Sequence, residues 1–166
     1  MAALAAWSPE LWALNSEQSL ASLTLVQKKS LLKHLCAGNN QLVNDLVLKF
    51  KQHCEPVDIC LNLCPTMSIT AFLELGKDLK WNGFETLESK RLKQFFKAFN
   101  TDSMVSNLTF SEVAIGVLGL SVGSRSPGGL VAIRIRNELL FSYYDTDGSG
   151  SIDHDEFAEL VRGMLT

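Results

Sequence analysis

The sequence predicts an all-α protein built of helix-loop-helix units, and three observations carry that expectation. Apolar residues recur at helical spacing along most of the chain, with no sustained alternation of period two. Capping residues, glycines and prolines punctuate those stretches where helices start and stop. Near the C-terminus, an acidic Gly/Ser-rich loop lies between two such stretches. A chain of 166 residues that is 46% hydrophobic holds one ordinary domain, or two small lobes, with a real core.

Taken in order, Ser8-Pro9-Glu10 reads as a helix start, with Ser8 as N-cap and Pro9 where its missing N–H costs nothing. A helix from Ser22 or Thr24 carries Leu25, Leu31, Leu32 and Leu35 and stops at Gly38. Beside these leucines, Lys28, Lys29, Lys33 and His34 read first as a solvated face, with contact to an acidic membrane as the lesser reading. The next helix lines Leu42, Val43, Leu46, Val47 and Phe50 along one side and ends before Pro56. Further helices are expected from Ile69 to Leu79, Glu85 to Phe99, Ser111 to Leu120, Val131 to Tyr144 and Asp155 to Met164. Between Ser121 and Gly129 the composition shifts to Gly, Ser and Pro, which predicts a flexible linker.

A net charge of -3 supplies no basic footprint for a phosphate backbone, which argues against nucleic-acid binding. The charge is local: Met1 to Tyr144 balances at +2, whereas Asp145 to Thr166 stands at -5. With no apolar run long enough to span a bilayer and no basic signal-type start, the expectation is a cytoplasmic protein with reduced cysteines. His53, Cys54, Cys60 and Cys64 lack the paired spacing of a zinc site.

Chemistry concentrates in Asp145-Thr-Asp-Gly-Ser-Gly-Ser-Ile-Asp-His-Asp-Glu156. Asp145, Asp147 and Ser149 stand at alternate positions, so that three oxygen-bearing side chains can turn toward one centre. Gly150 permits the sharp turn that follows. Ser151 offers its backbone carbonyl, Asp153 acts through a water, and Glu156 closes the sphere with two carboxylate oxygens. Six or more hard oxygens in a flexible loop suit Ca2+, whereas Mg2+ demands a tighter octahedron. Phe141 and Tyr144 before the loop, and Phe157, Leu160, Val161 and Met164 after it, give both flanks an apolar face.

With these residues the segment resembles an EF-hand, and the chain from about Leu42 to Met164 resembles the neuronal calcium sensor and calcineurin B-like group. Phe96 and Phe99 before Asn100, and the run from Val113 to Ser121, are similar to that family's second hand. Cys64-Pro65 is similar to its inactive first hand. The resemblance implies an N-terminal helical extension (1–38), a degenerate EF-hand pair (39–120), the linker (121–130) and one intact hand (131–166). In the second loop only Asn100, Asp102 and Glu112 remain as ligands, Met104 and Val105 being misfits. In the first loop, taking Ile69 as the central strand residue puts Leu73 at the closing position, so the loop is expected to be inert. A short strand near Ile69 should pair with one near Leu108.

The expected function is a calcium sensor that changes its contact with a protein target, through an apolar groove or the surface of the lobe. The competing expectation is a calcium-independent adaptor with one structural ion site. The family implies that the last hand pairs with a fourth, so the expectation is that the chain is the regulatory part of a longer protein, or that the hand pairs with a second copy or with another EF-hand chain. No grouping of catalytic side chains points to an enzyme, and Ala2 excludes N-myristoylation.

Overall fold

A computed structural model describes residues 7–15, 17–54, 66–79, 89–101, 106–123, 125–126 and 128–165. Among these residues lie eight α-helices and one two-stranded ribbon: α1 (Pro9–Asn15), α2 (Leu25–Cys36), α3 (Asn40–His53), β1 (Thr66–Met67), α4 (Ile69–Asp78), α5 (Ser89–Phe99), β2 (Leu108–Thr109), α6 (Phe110–Ser121), α7 (Gly129–Tyr144) and α8 (His154–Leu165). The all-α expectation holds. Cys60, Cys64, Pro56, Pro65, Trp81, Asp102, Met104 and Val105, with the start of the helix expected from Glu85, lie outside the described residues.

Local chemistry accounts for most helix starts. The Leu11 N–H donates to Ser8 Oγ at 3.2 Å, as the Ser-Pro start implies. Thr24 and Gln27 form a reciprocal capping box at α2, and Thr109 and Glu112 another at α6. Ser68 accepts from the Ala71 N–H and starts α4 at Ile69. That cap corrects the expected strand. Because the helix begins at Ile69, the strand ends at Met67, which lies opposite Leu108, with Thr66 opposite Thr109 in an antiparallel pair. The closing position of the first loop therefore shifts from Leu73 to Ala71, and neither residue offers a carboxylate.

One core unites these elements. Phe72 of α4 meets Phe99 of α5 at 5.1 Å between ring centroids, and Phe50 of α3 meets Phe110 at 5.2 Å, both edge-on. Leu31 and Leu35 of α2, Leu46, Met67, Leu108 and Ile135 are fully buried around them. At the centre runs α6, every residue of which is buried from Glu112 to Gly119. Such a helix is apolar all round and must be covered on several sides, here by α2, α3, α5 and α7. Gly116 and Gly119 let the neighbours approach, since a Cβ would collide with the Phe99 ring at the first and with Ile135 Cγ2 at the second.

The connection between α6 and α7 makes turns where it is described: the Ser126 N–H donates to the Gly123 carbonyl and the Gly129 N–H to the Ser126 carbonyl. Val122 is buried, and α7 shares the common core through Val131, Ala132, Ile135 and Leu139. The N-terminal segment lies across α7. Arg134 donates to the Trp12 carbonyl at 2.9 Å and to the Gln18 carbonyl at 3.1 Å, and it pairs with Glu138, which accepts from the Leu20 N–H at 2.6 Å. The Arg134 guanidinium also stands 4.8 Å from the centroid of the buried Trp12 ring. By contrast, α8 packs extensively only on α7. No helix among the described residues is long and apolar enough to cross a membrane.

Candidate metal centre

The loop from Asp145 to Glu156 is shaped by hydrogen bonds to its own carboxylates. Asp145 closes α7 and lies almost buried, 7% exposed. Its Oδ1 accepts the Ser149 N–H and its Oδ2 the Gly150 N–H, both at 3.0 Å, which curls the loop around the carboxylate. Left-handed backbone at Gly148 (φ 68°) and Gly150 (φ 82°) makes this possible without strain. Asp147 Oδ1 also accepts the Ser149 N–H at 3.0 Å.

Where the loop enters α8, Asp153 Oδ1 accepts the Glu156 N–H at 2.9 Å while Glu156 Oε2 accepts the Asp153 N–H at 3.0 Å, a reciprocal helix-start lock. Glu156 Oε1 reaches back across the loop to the Thr146 N–H at 2.8 Å and the Thr146 hydroxyl at 3.0 Å. The two ends of the loop are thereby drawn together. Carboxylate oxygens of Asp145, Asp147 and Glu156 lie within 4.8 Å of one another, and Glu156 is only 6% exposed.

Three carboxylates this close repel when all are ionised, and the surrounding N–H groups offset part of that repulsion. The Ser149 N–H beside Asp147 holds its carboxyl below the usual range, and the Asp153 N–H does the same for Glu156. The cluster presents hard carboxylate oxygens that could hold a metal ion. Of the six residues expected to hold the ion, the structure gathers Asp145, Asp147 and Glu156. Ser149 adjoins them, its hydroxyl donating to Asp145 Oδ1 at 3.4 Å and to the Ser151 carbonyl at 3.0 Å. Asp153 stands apart as the cap of α8.

The loop before α6 repeats the arrangement around Glu112, which is 5% exposed. Glu112 Oε2 accepts the Thr101 N–H at 2.6 Å, and Oε1 accepts the Thr109 N–H and hydroxyl, both at 3.0 Å. Thr101 thus plays the part of Thr146, and Thr109 that of Asp153. Glu112, expected as a residual ligand, accepts the same kind of protein donors as Glu156, and Asp102 of the same loop lies outside the described residues. Neither threonine stood out in the sequence, although Asn100-Thr-Asp and Asp145-Thr-Asp repeat the same pattern. Nor did Lys97 of α5, whose ammonium donates to the Thr146 carbonyl at 3.4 Å. His53, set aside as a metal ligand, forms a 2.6 Å pair with Asp78.

Comparison of the chain with protein-family models, with curated proteins and with solved structures finds no match.

Proposed function

We propose that the chain is a calcium-binding regulatory module of EF-hand type, with Asp145, Asp147, Ser149, the Ser151 carbonyl and Glu156 as ligands and Asp153 acting through a water. The observation that carries this reading is the meeting of Asp145, Asp147 and Glu156 within 4.8 Å across a twelve-residue loop with Gly150 at its turn. Calcium would supply charge that the three carboxylates lack among themselves. Glu156, on the first turn of α8, would move from Thr146 toward the ion and take its helix along.

A sensor is favoured over a passive ion site by the unequal packing of the two flanking helices. Buried side chains fix α7 in the core, whereas α8 rests on α7 and leaves Phe157 57% and Met164 76% exposed. A pull on Glu156 therefore reorients α8 against a stationary frame and changes which apolar surface a protein target meets. The module acts by contact, not catalysis. Titration calorimetry tests the assignment: the parent binds one Ca2+, and Glu156→Gln loses most of the heat and at least tenfold in affinity. Equal heats from the two proteins would sink it. A fluorescent apolar dye separates the readings, since a sensor brightens it on calcium addition and a purely structural site only raises the Tm.

A further inference from the structure

The largely apolar groove between α5, the end of α6 and α7 has a volume of about 500 Å3, within the range of small-molecule sites. Phe95 and Phe99 from α5, Leu120 from α6, and Leu140 and Tyr143 from α7 line it. One cation stands among them. Arg136 is half-buried in the lining and makes no ion pair or hydrogen bond among the described residues, unlike Arg134 two positions earlier, which is fully engaged with Glu138 and two carbonyls. Asn137, beside it in the lining, likewise has no hydrogen-bond partner among the described residues.

A half-buried arginine in an apolar lining favours an anionic partner, and a carboxylate is the planar group that its guanidinium holds with two parallel bonds. No acid stands in the lining among the described residues. A single fixed cation beside an aromatic and aliphatic lining matches an apolar tail with one anionic head. We infer that this groove binds a medium- or long-chain carboxylate of fatty-acid type, the tail lying against Phe95, Phe99 and Tyr143 and the head on Arg136. The inference is independent of the calcium site.

The test is calorimetry of the full chain in a chelator, with decanoate and with 1-decanol as the neutral counterpart. Decanoate should bind at one site and more tightly than 1-decanol. Arg136→Met should weaken decanoate about tenfold, the worth of a charge-assisted pair, and leave 1-decanol unchanged. Leu140→Glu, at a half-exposed position that spares the core, should repel decanoate further while circular dichroism stays that of the parent. Equal binding of the acid and the alcohol, indifference to Arg136→Met, or no binding of decanoate would overturn the inference. So would a concentration-dependent dimer that Leu140→Glu dissolves, because a second copy would then fill the groove.

Discussion

Replacing Glu112 with alanine tests how the second loop is held. The carboxylate ties Thr101, at the end of α5, to Thr109, at the start of α6, through two backbone N–H groups and two hydroxyls. Orphaning two half-buried N–H groups costs about 1 kcal/mol each, at the low end of the range because water can reach them in part. The expected loss of about 2 kcal/mol corresponds to a fall in Tm of roughly 4–8 °C for a chain of this size. Urea unfolding in a chelator, followed by far-ultraviolet circular dichroism, measures it. Glu112→Gln, which keeps an acceptor, should lose about 1 kcal/mol. If Glu112→Ala loses less than that, or loses stability only when calcium is present, the loop is not held by the protein's own donors and the reasoning fails.

Other outcomes follow from the same geometry. Gly119→Ala gains helix propensity but drives a methyl into Ile135, so a net loss of about 1–2 kcal/mol is expected in place of the usual gain; a stabilised variant in thermal unfolding would contradict the packing. The ring hydrogen bond from His53 is the main cause holding Asp78 below its ordinary value of 3.8. A lowered folded-state value means that the contribution is complete above 3.8 and is lost as pH falls through the lowered value. Asp78→Asn should therefore be less stable than the parent at neutral pH, with the gap closing in acid; a gap that widened there would reverse the sign.

What the sequence could reveal was set by the range of each interaction. Ser8-Pro9 and the loop from Asp145 to Glu156 encode their geometry within a dozen residues, so helix starts and the acidic cluster were legible. The helix from Ile69 and a short strand paired with the one near Leu108 were both legible, and the strand lies two residues before Ile69 because Ser68 caps the helix there. The role of Glu112 stayed open for a related reason. A carboxylate at that spacing serves an ion or a pair of N–H groups equally well, and the choice depends on how Thr101 is presented. Arg134 against Trp12, and Lys97 against Thr146, join residues far apart in sequence, and no local pattern marks them.

With α7 as its main support, α8 is expected to open as a unit distinct from the core. Amides of α6 and α7 open only with the whole core, while those of α8 exchange through a local opening of much lower free energy. Anything bound at Glu156 would add its binding energy to that local opening first, because the residue sits on the first turn of the loosely held helix. The last dozen residues would thus gain protection before the Tm of the core changes, and a protease that cuts α8 would detect occupancy of the loop when global unfolding does not.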